Sequence, residues 1–450
     1  MGSGTFKGGV HPYDGKELSK YKQVREILPK GDVIYSLSQH IGAPSKPVVG
    51  QGDYVKCGQV IAEADGFVSA TVHASVSGKV SAIERRLNAT GIKVLSIVIE
   101  NDGQFTSFDF HETADVNTLS KEEIGKKIQE AGIIGLGGAG FPTHVKLTPK
   151  DPDKIKYVIA NCAECEPYVT VDYRRMIENA EQLIAGMKIV LQLFDNAKGV
   201  FAIEDNKPDC IEKMQELLKN EDRIEVQILH TKYPQGAERQ QIFAVTGLAI
   251  HSKQLPADVG CIVDNAETFF AIYNAVKLGR PLIERLVTVT GGGIADPSNF
   301  LIRIGTNFSE LLEAAGGFIG QPEKLLFGGP MMGFAGTCTD VPTMKTTSML
   351  LSLLTDEMSA LTPTPCINCG RCVEVCPSGL VPSRLAKQAQ RKQNADFEKW
   401  NGLECIECAC CTYGCPAKQP LVSDIKLMKK RILTKKRQQA AREKKEGEAK

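Results

Sequence analysis

Two cysteine runs constrain this chain more than any other feature. They read Cys366-x2-Cys369-x2-Cys372-x3-Cys376-Pro377 and Cys405-x2-Cys408-x2-Cys411-x3-Cys415-Pro416. Four thiolates hold one iron-sulfur cubane; tight Cys-x2-Cys turns let three converge, and the proline-flanked fourth comes from the opposite run. The spacing predicts two 4Fe-4S clusters, one on Cys366, Cys369, Cys372 and Cys415, the other on Cys405, Cys408, Cys411 and Cys376. Zinc sites or a disulfide scaffold are the alternatives, but zinc has no need of a third x2-spaced cysteine and a prolyl fourth in each run. The 28 residues between the runs carry Leu380, Leu385, Ala386, Phe397 and Trp400 and read as helical after Pro382, so a helical ferredoxin-like module is expected over 337–428. Cys410, beside Cys411, is expected to be buried near a cluster rather than to ligate it.

A chain of 450 residues exceeds one core, so three or four domains are expected in a multidomain α+β protein. The net charge of +1 gives no general reason to expect nucleic acid as a partner. Six further cysteines (Cys57, Cys162, Cys165, Cys210, Cys261 and Cys338) have no bridging pattern, which fits a reducing compartment. No window approaches 18 consecutive apolar residues, and Met1–Lys20 lacks the apolar core of a signal peptide. The expected placement is peripheral, on the cytoplasmic side of the membrane through a partner.

Residues 1–115 read as an extension followed by a barrel-sandwich β domain. In the extension, His11 beside Pro12 reads as a turn residue and Ser19–Ile27 as a short helix. Residues 36–110 alternate short apolar runs with glycine turns, as in Val48-Val49-Gly50-Gln51-Gly52 and Val76-Ser77-Gly78-Lys79-Val80, resembling biotinyl and lipoyl carrier domains. The expected exposed tip, near Asp65-Gly66-Phe67 and Thr71-Val72-His73, holds no lysine to carry a swinging arm. The module is therefore expected to serve as scaffold or partner surface.

Residues 116–283 alternate strands and helices. Ser120 caps a helix over 119–132, and a glycine loop follows: Gly135-Leu136-Gly137-Gly138-Ala139-Gly140-Phe141-Pro142-Thr143. Such a loop lets a ring or phosphate approach the backbone, and Lys146 lies at a distance suited to a phosphate. It matches neither a Walker A motif nor the dinucleotide fingerprint, and by composition alone an ordinary turn remains open. A buried strand over 155–161 then delivers Asn161, Glu164 and Glu166 to its C-terminal end, where open α/β sheets gather ligands. Cys162 and Cys165 are two ligands only, too few for a metal. A helix over Met176–Met187, a strand over Ile189–Phe194, a helix over Lys207–Lys219 and a strand over Ile224–Leu229 continue the alternation. Tyr233-Pro234-Gln235-Gly236-Ala237-Glu238 and Asp264-Asn265-Ala266-Glu267-Thr268 form two more ligand-grade loops.

Residues 284–336 suggest a small β-grasp, SLBB-like domain, with Met331 and Met332 as packing residues and a Thr/Ser linker over 337–349. Residues 429–450 form a basic tail with ten Lys or Arg against three Glu. It reads as solvated, or as a contact for an anionic membrane surface or acidic partner; without interleaved aromatics it does not suggest RNA.

Taken together, the Phe6-Lys7-Gly8-Gly9-Val10-His11-Pro12 segment, the glycine loop, the Tyr233 loop and the paired cysteine runs resemble the RnfC (RsxC) subunit of Rnf electron transport complexes over nearly the whole chain. The middle is also similar to the flavin-bearing subunit of respiratory complex I, which ends its glycine loop in the same Gly-Gly-Ala-Gly-Phe-Pro-Thr. The resemblance implies FMN against Gly135, Gly137, Gly138 and Gly140, its phosphate near Lys146, and ligand contacts from Asn161, Glu164, Glu166 and Asn265. It also implies NAD(H) as substrate, and membrane and iron-sulfur subunits of an Rnf-type complex as partners. The family's arginine is Leu136 here and its aspartate Ala163, leaving the nicotinamide site one carboxylate short. No residue is expected to act as acid or base, since flavin itself turns a hydride into single electrons. The competing readings are a flavin and iron-sulfur cobalamin reductase of a shell-enclosed pathway, and a flavin-free electron-carrying scaffold.

Overall fold

The computed structural model describes residues 2–252, 254–358 and 360–448. Four sheets organise the chain. The centre is a parallel four-stranded sheet in the order Ile224–Leu229, Lys198–Glu204, Tyr157–Cys162, Cys261–Asn265. Its Tyr157–Cys162 and Lys198–Glu204 strands are apolar runs because helices cover both faces. Ile124 and Ile128 of the Lys121–Glu130 helix and Leu183, Met187 and Phe269 of two longer helices belong to the same core. Ser120 caps this helix as expected, and Glu123 accepts from the Ser120 N–H in return, completing a capping box.

One expected strand is helical instead. The helix expected over Met176–Met187 runs from Val171 to Leu191, and the next strand begins at Lys198. Ile189, Val190 and Leu191 are buried in the same core as Leu183, Ile184 and Met187, so burial outweighs their β-propensity.

The N-terminal region forms an antiparallel sheet, Val33–Ser36, Lys93–Asn101, Gly78–Leu87 and Tyr54–Val55, facing a three-stranded sheet of Lys46–Pro47, Val60–Glu63 and Val72–His73. Phe67 is exposed, but Thr71, Val72 and His73 are buried and so belong to the interior rather than to an exposed tip. Ser19–Ile27 is not a helix. A 3-10 turn covers Lys16–Leu18, and Arg25–Ile27 pairs in parallel with Phe300–Ile302.

That pairing makes the β-grasp region a six-stranded sheet that draws on both sides of 284–336: Arg25–Ile27, Ser298–Arg303, Glu284–Thr290, Met349–Leu353, Lys324–Phe327, Phe334–Gly336. The Met349–Leu353 strand is buried and central, so the segment before it is no free linker. Lys345 within that segment is buried, and its ammonium donates to Thr71 O (2.6 Å) and Gly132 O (2.7 Å), tying three domains at one point. The Phe308–Ala314 helix is capped by Asn307, whose side chain accepts from Ser309 N–H. The cysteine region is helical, with Pro382–Gln390 and Asn394–Lys399 between the runs, and Leu421–Glu448 after them. Ile425, Met428 and Ile432 bury one stripe of the last helix, while Leu427 faces outward.

Candidate functional site

The glycine loop sits at the C-terminal edge of the central sheet, pinned at its root by Gly135 N–H to Phe141 O (2.8 Å) and Leu136 N–H to Thr268 Oγ1 (3.2 Å). A Cβ at Gly137 would lie 2.6 Å from Asn265 Cγ, so the backbone rests directly on that side chain. Gly138 differs: nothing lies within 4 Å of where its Cβ would be. The loop therefore leans on Asn265 and turns open backbone outward at Gly138, a cradle of the kind that a planar ring can approach.

Asn161, next to last in the Tyr157–Cys162 strand, is held from two sides. Its Nδ2 donates to Gly236 O (2.8 Å) and its Oδ1 accepts from Gln241 Nε2 (2.9 Å). Asn265 caps the Ala266–Leu278 helix through Glu267 N–H and donates to Asp172 Oδ2 (2.7 Å). Lys146 donates to Val263 O (2.7 Å) and Asp264 Oδ1 (3.1 Å), and stands 3.7 Å from Glu238. Burial alone would lower its pKa, but Asp264 and Glu238 raise it, so the cation is secured at the loop's edge.

Glu164 and Glu166 are placed differently from a simple site lining. Glu164, at φ 49°, points into the protein and caps the Val171–Leu191 helix by accepting from Asp172 N–H (2.6 Å) and Tyr173 N–H (3.3 Å). Its other oxygen stands 3.7 Å from the Lys16 ammonium. Glu166 accepts from Met331 N–H (2.8 Å) and Met332 N–H (3.3 Å), joining the strand-end loop to the β-grasp domain. Met331 and Met332 thus meet this loop through their backbones. Leu136 and Ala163 are both buried.

Asp172 is a site-edge residue without a spacing signal in the sequence. Burial pushes its carboxyl up to about 7, Glu164 adds to the rise, and the Asn265 amide opposes it. A carboxyl whose pKa is higher folded than unfolded binds more protons when folded, so its contribution to stability falls as pH rises from 3.8 to about 7. Asp172→Asn is therefore expected to raise the melting temperature above neutral pH, with the gain vanishing toward pH 4. A gain independent of pH in thermal melts would refute the raised pKa.

The cysteine runs repeat one backbone pattern. Asn368 and Gly370 in the first have positive φ, as do Glu407 and Ala409 at the equivalent places in the second, and short helices follow over Arg371–Glu374 and Cys410–Tyr413. Cys376 of the first run lines a cavity with Cys405, Cys408 and Cys411 of the second, alongside Pro377 and Cys410. Cys415 of the second run packs with Cys372 of the first. Four cysteines drawn from both runs thus line one cavity, the crossed set that a cubane held at four corners needs.

The module docks beside the flavin-type loops. Gln240 Nε2 donates to Pro377 O (3.1 Å), and Glu404 receives Arg239 (2.8 Å) and Ser252 (2.7 Å). Cys410 is buried, its thiol 3.8 Å from Tyr233 O, and Cys408 packs with Tyr233. Cys369 is exposed and Cys366 partly so.

Comparison with known proteins covers the same ground. Four domain families match in order: an RnfC barrel sandwich hybrid domain over 4–104, a Nuo51 FMN-binding domain over 128–274, an SLBB domain over 286–335 and a 4Fe-4S dicluster domain over 365–419. The counterpart in the Na(+)-translocating ferredoxin:NAD(+) oxidoreductase complex of Acetobacterium woodii is 44% identical over 96% of this chain and 98% of its own length. The chain belongs to the RnfC family. Another member, from the proton-translocating ferredoxin:NAD(+) oxidoreductase complex of Clostridium ljungdahlii, is 44% identical over 94% of this chain and 93% of its own length. The Pseudomonas aeruginosa relative, from an ion-translocating oxidoreductase complex, is 41% identical over 85% of this chain but only 50% of its own length. A solved NAD+-reducing NiFe-hydrogenase superposes with a TM-score of 0.48 at 19% identity, over 69% of this chain and 61% of that chain, too distant to inform the site. As an RnfC, the chain takes FMN in its Nuo51-type domain and two 4Fe-4S clusters in its C-terminal module.

Proposed function

We propose that this RnfC chain is the peripheral electron-transfer subunit of an ion-translocating ferredoxin:NAD+ oxidoreductase, exchanging electrons with NAD(H) at FMN and passing them through two 4Fe-4S clusters. The observation that carries the reading is the junction of the two sites, where the Cys376, Cys405, Cys408 and Cys411 cavity abuts Tyr233 and Gln240, on the loop and helix whose Gly236 and Gln241 hold Asn161. Bound FMN supplies the conversion of a hydride into single electrons. The residues that would hold it are Gly135, Gly137, Gly138 and Gly140 by close backbone approach, Asn161 and Asn265 as the polar floor, and Lys146 as the cation for its phosphate.

Glu164 and Glu166 serve in this reading as positioning groups, since their hydrogen bonds hold the helix start and the β-grasp loop in place. Cys376, Cys405, Cys408 and Cys411 would carry the cluster nearer the flavin. Cys366, Cys369, Cys372 and Cys415, with Cys369 exposed, would carry the one that faces a partner. The partners are the membrane and iron-sulfur subunits of an Rnf-type complex, and the placement is the cytoplasmic side of the membrane. No helix among the described residues is long and apolar enough to cross a membrane. Anaerobic reconstitution with FMN and iron-sulfide, followed by addition of NADH, tests the reading: the flavin absorbance should bleach. No bound FMN and no NADH oxidation would sink it.

A further inference from the structure

The glycine-rich segment at the start of the described chain threads between the flavin-binding domain and the cluster module and bonds to both. On the flavin-domain side, Gly4 N–H donates to Ala244 O (3.0 Å), and Gly4 O accepts from His230 N–H (2.8 Å) and Gln235 Nε2 (2.9 Å). Lys232 holds Phe6 O (2.6 Å) and lies over the Phe6 ring. Val10 and Tyr233 exchange both backbone bonds (2.8 and 2.9 Å), forming a one-residue antiparallel bridge. On the module side, Gly9 N–H donates to Val375 O (3.0 Å), one residue before Cys376.

The fit leaves no slack. Gly8 and Gly9 both sit at φ +87°. A Cβ on Gly8 would lie 2.9 Å from Cys376 O, and one on Gly9 2.8 Å from Tyr233 O. Val10, Tyr233, Cys408, Cys410 and Val375 then close into one apolar cluster. The contact at Glu404 is side chain to side chain and that at Pro377 side chain to main chain, whereas the segment joins main chain to main chain on either side.

We propose that residues 4–10 are a positioning strap, fixing the Cys376-bearing turn against the Tyr233 loop so that electrons pass between flavin and the adjoining cluster at full rate. Gly8 and Gly9 are its positioning residues, and the inference rests on the electron path proposed above. Each acts by letting its backbone lie directly against another, Gly8 against Cys376 and Gly9 against Tyr233. Because electron tunnelling between fixed groups falls off exponentially with distance, moving the Cys376 turn away from the Tyr233 loop should slow it severalfold.

The test uses the full chain loaded with FMN and both clusters. The flavin is photoreduced anaerobically with EDTA as electron donor, which bypasses NADH, and arrival of electrons at the clusters is followed by freeze-quench paramagnetic resonance. Gly8→Val is expected to keep flavin photoreduction, FMN and iron content while cluster reduction slows severalfold. Phe6→Ala combined with Lys232→Ala loosens the strap from the flavin-domain side without touching the cysteine turn, and should slow the same step. Lys7→Ala, an exposed strap residue, should behave as the parent protein. Parent-like cluster reduction in Gly8→Val protein that retains its iron overturns the strap, as does parent-like reduction in the double variant if Gly8→Val loses iron. Clusters in the parent protein that never receive electrons from photoreduced flavin would overturn the electron path instead.

Discussion

Cys376→Ala is expected to halve the iron of the loaded protein, from about eight atoms per chain to about four, and to do so by emptying the cluster of the other cysteine run. The residue belongs by sequence to the run that starts at Cys366, yet it lines one cavity with Cys405, Cys408 and Cys411. A double variant decides between crossed and uncrossed ligation. If Cys376 and Cys411 serve the same cluster, Cys376→Ala with Cys411→Ala still leaves about four irons, because both deletions fall on one cubane. If each run holds its own cluster, the same pair removes both. Iron analysis separates the outcomes without any assay of activity, and FMN should remain bound, since the glycine loop belongs to another domain. Near-zero iron in the double variant would refute the crossed assignment.

The parts of the molecule legible from sequence are those governed by local spacing. The cysteine runs show their x2 and x3 intervals directly. The Ser120 cap needs only one residue at a helix start, and it appears as expected. Order along the chain is enough to indicate four domains of the right kinds. What stays hidden depends on pairings made across hundreds of residues. Arg25–Ile27 carries no strand signature of its own; it is a strand because Phe300–Ile302 lies beside it. Met349–Leu353 follows a Thr/Ser-rich stretch that reads as a linker, but the sheet has a central place for it. Ile189–Leu191 looks like a strand and is helical, because β-branched residues favour strands only when burial does not favour a helix more.

The candidate site divides in the same way. Gly135–Gly140 is visible as a glycine cluster after a capped helix, and Asn161 and Asn265 because strand ends collect polar residues. The orientation of each side chain is not visible, and it changes the roles. Glu164 lies two residues from Glu166 and would be expected to share its face, yet a left-handed backbone at Glu164 sends it inward to Lys16 and the helix start. Asp172 becomes part of the floor only because Asn265, 93 residues later, bonds to it.

Gly138→Val isolates the flavin from the fold. A Cβ at this position meets nothing within 4 Å, so the protein alone has no reason to resist the substitution, and its melting temperature and iron content should match the parent's. If FMN lies against the loop, the valine occupies part of its space. Overpacking of that kind costs roughly 1–3 kcal/mol, or about five- to 150-fold in affinity. Gly137→Ala makes the contrasting case, because its Cβ would come within 2.6 Å of Asn265 Cγ and must move the side chain that caps the Ala266–Leu278 helix. That variant should lose thermal stability with or without flavin. The pattern expected is thus FMN loss with an intact fold at Gly138, and FMN loss with a weakened fold at Gly137. Retention of FMN at parental affinity by Gly138→Val, measured by fluorescence titration, would place the flavin elsewhere than against this loop.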